Sequence, residues 1–423
     1  MWRIIKSMEQ IIINGGKTLK GSVEISGAKN AALAIIPAAI LAEGVSIIEN
    51  LPDINDIKNL VNILEDLGVK CEFVNKTTLK IDATNITKQR AEGDAVRKIR
   101  ASYYLLGALL SRFKKAEIEM PGGCDFGGRP TDQHEKGFKA LGAMTEVSHG
   151  FIKISARELK GTNILLDVVS VGATINVMLA SVLAEGATTI ENAAKEPHVV
   201  DTANLLNMMG ADIKGAGTNV IRINGVEKLK GVTYTIIPDQ IEAGTYMIAA
   251  AITKGDVTVK NIIPQHMDPL TAKLVEMGCG VEEGDDYIRV FCKDTLTASN
   301  VRTLAYPGFP TDLQPQITAL MATAEGMGLI TESVWDNRFQ YVNELKRLGA
   351  NITVDGRMAV TNGPARLTGA KVTAIDLRAG AALVLAALSA EGTTVIEKAT
   401  QVGRGYENIE KKLKGLGADI TVV

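Results

Sequence analysis

At 423 residues the chain is too long for one compact core and predicts two large domains. Apolar types make up 46% and charged types 22%, as in ordinary globular proteins, and 46 basic against 48 acidic residues leave a formal charge of -2. No bulk charge points to nucleic acid or a membrane surface, and no run approaches the roughly 18 apolar residues of a membrane span. The opening segment is too short and too interrupted by charge for a signal peptide. Met8 is a candidate start, because the first strand pattern, Gln10 to Asn14, follows it directly.

Along the chain one unit recurs. An apolar residue and a glycine close an amphipathic helix at Leu67-Gly68, Leu141-Gly142, Met209-Gly210, Met277-Gly278, Leu348-Gly349 and Leu416-Gly417, at spacings of 74, 68, 68, 71 and 68 residues by subtraction. Upstream, a small-residue helix ends at Glu43-Gly44, Glu185-Gly186, Lys254-Gly255, Glu325-Gly326 and Glu391-Gly392, with Ala116 standing in for the glycine in the second unit. Glycine suits the left-handed cap that stops a helix, so both landmarks are scaffold.

Each of the six units reads strand, loop, helix, strand, loop, helix, then one or two strands. The first helix, as in Ala31 to Ala42 or Ala379 to Ala390, is apolar nearly all round and predicts burial. The second, as in Ile57 to Leu67, has a polar face and predicts a surface position. The result is an α/β fold turned inside out, with three units in each domain and an active site expected in a cleft between them.

Polar residues recur at fixed places on this unit. Before the buried helices stand Lys29, Arg100, Ser170, Asp239, Asp312 and Arg378, and before three outer helices stand Arg129, Arg338 and Arg404. Guanidinium forks suit carboxylate and phosphate oxygens, which predicts an anionic substrate; the bland alternative is surface arginines paired with nearby acids.

The second unit is the odd one, with extra residues in Pro121-Gly122-Gly123-Cys124-Asp125-Phe126-Gly127-Gly128-Arg129-Pro130. Four glycines let this backbone approach a ligand, and a thiol near its reference pKa of about 8.5 can donate a proton or attack. Cys71, Cys279 and Cys292 read as small buried hydrophobes near strands, with no C-x-x-C spacing and no disulfide framework, which fits a reducing cytoplasm. His134 and His198 open outer helices, where histidine is more often structural than catalytic. No metal-ligand spacing appears, and no metal or cofactor is expected.

Several motifs in order carry a resemblance that covers essentially the whole chain from Met8. Ser26-Gly27-Ala28-Lys29-Asn30, Arg100-Ala101-Ser102, the Pro121 to His134 stretch, Ser170-Val171-Gly172, Phe309-Pro310-Thr311-Asp312, Asn337-Arg338-Phe339, Asp376-Leu377-Arg378 and Arg404-Gly405-Tyr406-Glu407 resemble the UDP-N-acetylglucosamine 1-carboxyvinyltransferases. These belong to the enolpyruvyl transferase family, whose shikimate branch shares the fold but lacks the cysteine loop.

The resemblance implies a two-domain inside-out α/β barrel pair, with residues 8–29 plus 239–423 in a discontinuous domain and 30–238 in an inserted one. It implies that Lys29, Asn30, Arg129, Arg378 and Arg404 hold phosphoenolpyruvate. It further implies that Arg100, Arg129, Pro130, Thr131, Asp132, Gln133, Ser170, Val171, Gly172, Asp312 and Val334 hold UDP-N-acetylglucosamine. Cys124, Asp312 and Arg404 are the implied catalytic residues, with Cys124 also the residue modified, either as a covalent adduct or by fosfomycin. One departure is Val168, where some relatives carry a lysine two residues before the serine of the S-V-G motif. A different acceptor, such as shikimate 3-phosphate, and a non-catalytic relative are the alternatives.

Overall fold

The computed structural model describes residues 9–120 and 131–423. These form two compact units, one of residues 27–120 and 131–237 and one of residues 9–26 and 238–423.

Among the described residues the strands form six four-stranded sheets of one pattern. The first strand runs parallel to the second, the second antiparallel to the third, and the third antiparallel to the fourth. In the sheet of the third repeat these are Asn163–Leu165, Ala187–Glu191, Val220–Asn224 and Asp212–Lys214. In five repeats the last two strands are a hairpin, so each of these contributes two strands after its outer helix where the sequence pattern left one or two. In the sixth repeat only Asp419–Val422 follows the outer helix, and Gln10–Asn14 supplies the missing strand by inserting between it and Thr393–Glu397.

The helices sort by pattern as their sequences predict. In Leu377–Ser389 every residue but Ser389 is buried, whereas Asn55–Asp66 buries Ile57, Leu60, Val61 and Leu64 and leaves its other face toward water. In one unit the buried helices Gln240–Ile252, Gln314–Thr323 and Leu377–Ser389 pack on one another. In the other, Tyr104–Phe113 packs on both Lys29–Ala39 and Val171–Ser181. Tyr104–Phe113 meets Val171–Ser181 at Gly107, where an added Cβ would sit 2.4 Å from the Asn176 carbonyl oxygen. The bare Gly107 N–H donates instead to Asn176 Oδ1 at 2.9 Å.

All six cap glycines, Gly68, Gly142, Gly210, Gly278, Gly349 and Gly417, take positive φ, between 96° and 110°. The upstream landmark needs a correction in two repeats. Gly255 is not left-handed; Lys254 takes φ 51° there, and Lys114, not Ala116, takes φ 59° in the second repeat. The left-handed turn is retained, and lysine tolerates it at a modest steric cost. The first buried helix also begins earlier and ends sooner than its apolar run suggests, at Lys29–Ala39, with Pro37 near its end unable to donate a backbone hydrogen bond.

The cysteines require a second correction. Cys279 and Cys292 are buried, as expected, but they form a disulfide with Cα atoms 4.9 Å apart. Their spacing carries no signature. The pairing of Gly280 with Phe291 in the hairpin puts the residues just outside it opposite each other. Cys71, on the strand Lys70–Asn75, is free and half-buried, and burial pushes its thiol up to about 12.

Candidate active site

The polar residues picked out before the buried helices all lie at the helix starts, though not all in loops. Lys29 is the first residue of Lys29–Ala39, and Arg378 is the second of Leu377–Ser389. Arg100 and Asp312 lie on 3-10 turns, Arg100–Tyr103 and Thr311–Leu313, that lead into Tyr104–Phe113 and Gln314–Thr323. Ser170 and Asp239 are N-caps. Ser170 Oγ accepts from the Ala173 N–H at 3.3 Å, and Asp239 Oδ1 accepts from the Ile241 and Glu242 N–H groups at 2.7 and 3.0 Å. Capping alone is a sufficient reason for the aspartate at 239.

In the unit of residues 9–26 and 238–423, the site gathers around Asp312. Arg378 Nη2 donates to Asp312 Oδ2 at 2.8 Å, and Arg338 Nη2 lies 4.0 Å from Asp312 Oδ1. Both arginines are buried while the carboxylate is 31% exposed, so a shielded pair of cations backs an acid that solvent still reaches. Burial pulls the Arg378 guanidinium down, but Asp312, Tyr406 and Asp239 together outweigh that effect and hold it above its ordinary value. The bland reading of Arg338 as a surface residue is thus overturned.

Arg404 closes the 3-10 segment Ala399–Arg404, half-buried, with Nη1 donating to Gln401 Oε1 at 3.3 Å. Val334 is exposed and its N–H donates to Glu332 Oε1 at 2.8 Å. The same buried Glu332 accepts from the Thr303 and Thr311 hydroxyls, which stiffens the turn before Asp312.

The unit of residues 27–120 and 131–237 brings together a second group. Gln133 and Asp167 bond reciprocally: the Asp167 N–H donates to Gln133 Oε1 at 2.8 Å, and Gln133 Nε2 donates to Asp167 Oδ2 at 3.1 Å. The turn at Asp132 is thereby tied to the strand end that precedes Ser170, Val171 and Gly172. Thr131 is the N-cap of the outer helix Asp132–Ala140, and its carbonyl accepts from the Glu135 N–H at 2.9 Å. Val168, in this segment, is exposed.

His134 is buried beneath this turn, with Nε2 2.9 Å from where a Gly172 Cβ would stand and its ring edge-on to Tyr103. Burial, and then the nearby Arg100, push the imidazole down to about 4, so it is neutral near pH 7. Burial also lowers the Arg100 guanidinium. His198, by contrast, is half-buried on Pro197–Met209.

Lys29 is buried, and its Nζ lies 2.8 Å from Asp56 Oδ2. Asn30, next to it, is half-buried. Cys124, Arg129 and Pro130 lie outside the described residues. Asp56 was not legible as a site neighbour because an acid in the first turn of an outer helix reads as a solvated helix-dipole partner. Tyr406 and Gln316, buried against Arg378 and Tyr406 respectively, were missed for a similar reason: only Tyr406 lay within a motif, and neither carried charge. No group of three or more His, Cys, Asp or Glu side chains arranged to hold a metal occurs among the described residues. No helix among them is long and apolar enough to cross a membrane.

Comparison with known proteins gives the family. The family model of EPSP synthase (3-phosphoshikimate 1-carboxyvinyltransferase) matches residues 13–413. Proteins named UDP-N-acetylglucosamine 1-carboxyvinyltransferase from Clostridium acetobutylicum and Clostridium botulinum are each 57% identical over 414 residues, 98% of this chain and 99% of theirs. Among solved structures, the enolpyruvyl transferase NikO from Streptomyces tendae is 29% identical with a TM-score of 0.89 over 98% of both chains. EPSP synthase from Acinetobacter baumannii, 21% identical with a TM-score of 0.74 over 98% of this chain and all of that one, shares the fold. A match of this length to both the family model and the sequences places the chain in the enolpyruvyl transferase family, among the UDP-N-acetylglucosamine 1-carboxyvinyltransferases.

Proposed function

We propose that this enzyme transfers the enolpyruvyl group of phosphoenolpyruvate to the 3-hydroxyl of UDP-N-acetylglucosamine and releases phosphate. This is the first committed step of peptidoglycan precursor synthesis, and with it come roles in cell shape and division and a cytoplasmic location. The single observation that supports it best, beside the 57% identity to the named relatives, is the carboxylate of Asp312 held between Arg378 and Arg338.

In this reading Asp312 takes the proton of the sugar 3-hydroxyl as its oxygen bonds to C2 of phosphoenolpyruvate. Cys124 delivers a proton to the methylene carbon, giving a tetrahedral ketal. Loss of a proton from the new methyl group, with cleavage of the C2–O bond to phosphate, restores the double bond and leaves the enol ether. Attack of the Cys124 thiolate on C2 of the protonated substrate gives the alternative covalent adduct. Lys29, Asn30, Arg129, Arg378 and Arg404 stabilise the phosphate and carboxylate charges. Arg100, Arg129, Pro130, Thr131, Asp132, Gln133, Ser170, Val171, Gly172, Asp312 and Val334 hold the sugar nucleotide.

Phosphate release with phosphoenolpyruvate and each acceptor tests the reading. Turnover with UDP-N-acetylglucosamine, none with shikimate 3-phosphate, and inactivation by fosfomycin with one label on Cys124 are expected. Turnover only with the shikimate acceptor would overturn it.

A further inference from the structure

We infer that Tyr406 is a positioning residue that sets the orientation of Arg378, through a one-directional hydrogen-bond relay among the three buried helices. The inference rests on the reading of Arg378 as a phosphoenolpyruvate ligand. Tyr406 is 2% exposed, and its hydroxyl meets three partners: Thr245 Oγ1 at 2.9 Å, Gln316 Nε2 at 3.1 Å and Arg378 Nη1 at 3.5 Å. The Arg378 Cζ also lies 5.8 Å from the centre of the Tyr406 ring.

Proton counting fixes the sense of these bonds. Thr245 has one hydroxyl proton, and it is donated to the Ile241 carbonyl at 2.8 Å. Thr245 Oγ1 therefore accepts from Tyr406. The phenol then has its two lone pairs left for Gln316 Nε2–H and Arg378 Nη1–H, and all of its capacity is used. The relay runs from Arg378 to Tyr406 to Thr245 to the Ile241 carbonyl, and each step is buried.

The consequence lies at the other edge of the guanidinium. With Nη1 drawn to Tyr406, Nη2 is turned to Asp312, where it donates at 2.8 Å. A planar fork cannot rotate one arm without the other, so the phenol hydroxyl decides where the second arm points. Phenylalanine would fill the same space and remove the acceptor that Arg378 Nη1 has among the described residues.

The test is Tyr406→Phe, measured alone and combined with Arg378→Lys. Loss of one buried bond to a charged group predicts a KM for phosphoenolpyruvate raised about 10-fold, with kcat and the KM for UDP-N-acetylglucosamine within about 2-fold of wild type. In the Arg378→Lys background the same change should add little, because the group it orients is gone. Thr245→Val, which removes the acceptor of the Tyr406 proton while keeping the side-chain shape, should raise the same KM by a smaller factor and serves if Tyr406→Phe fails to fold. An unchanged KM for phosphoenolpyruvate in these variants, or effects that multiply with those of Arg378→Lys, would overturn the inference while wild-type turnover left the proposed function standing. Should wild type show no turnover with UDP-N-acetylglucosamine, the functional reading fails on its own. The relay is then read from the Arg378 guanidinium 15N resonances, which should lose their restricted rotation in Tyr406→Phe and overturn the relay if they do not.

Discussion

Lys29 Nζ and Asp56 Oδ2 are 2.8 Å apart with side chains only 8% and 3% exposed, so a charge assigned to substrate binding is held by an acid from the neighbouring outer helix. Removing one member of such a pair takes away the counter-charge 2.8 Å from a buried ion. Asp56→Ala should cost about 3–5 kcal/mol in urea unfolding, and the double change Lys29→Met with Asp56→Leu should recover most of it. The double variant should be stable and inactive, which separates the two roles of Lys29.

His134 makes stability depend on acid. Its folded value of about 4 lies below the ordinary 6.5, so the unfolded chain binds the extra proton between those values. The contribution is fully present above pH 6.5 and is lost as pH falls toward 4. The difference in unfolding free energy between wild type and His134→Gln should change by on the order of 3 kcal/mol across that window. A flat difference would show that the imidazole is not buried as a neutral ring.

Glu242 acts with the opposite sign. Burial pushes its carboxyl up to about 7, against the pull of Lys412, whose Nζ donates to it at 2.6 Å. The folded state therefore holds a proton that the unfolded state releases, and stability from this group is present below pH 4.5 and lost as pH rises through 7. Glu242→Gln should remove that slope, read as the difference between pH titrations of the unfolding midpoint in the two proteins. Glu242 also accepts from the Ser26 N–H at 2.8 Å. Its amide replacement keeps an oxygen for that bond but turns an NH2 toward Lys412 Nζ, so the variant also loses the bond from Lys412, and the change of slope with pH, not the offset, reads the titration.

Two glycine-to-alanine changes should move stability in opposite directions. Gly107→Ala pushes a methyl against the Asn176 carbonyl and forces two buried helices apart, and should cost about 1–3 kcal/mol. Gly415, the last residue of the outer helix Ile409–Gly415, has open space where a Cβ would stand, so Gly415→Ala should add about 0.5–1 kcal/mol. Thermal unfolding of both variants checks the pair.

What the sequence made legible was whatever repeats or stands in a local pattern. Cap glycines, apolar helices and the polar residues at helix starts obey spacing rules because backbone geometry imposes them unit by unit. The left-handed lysines at 114 and 254 escaped because the geometry survives without its usual residue. The Cys279–Cys292 bond escaped because hairpin register, not spacing, brings the two side chains together. In the site, Arg378 and Asp312 were each found from position, but their bond spans 66 residues and is a property of packing. The neutral state of His134 likewise depends on what covers it, which no local window contains.

The strand Gln10–Asn14, hydrogen-bonded between Thr393–Glu397 and Asp419–Val422, sets an order on biogenesis. A ribosome releases this strand well before its two partners, with 379 residues separating Asn14 from its hydroxyl partner Thr393. Residues 27–237 precede both partners, so their three repeats can close during translation while Gln10–Asn14 waits as an unpaired edge. The newborn chain must keep one β-prone stretch out of trouble until Thr393–Glu397 and Asp419–Val422 emerge, and nascent-chain proteolysis should find that stretch unprotected until then.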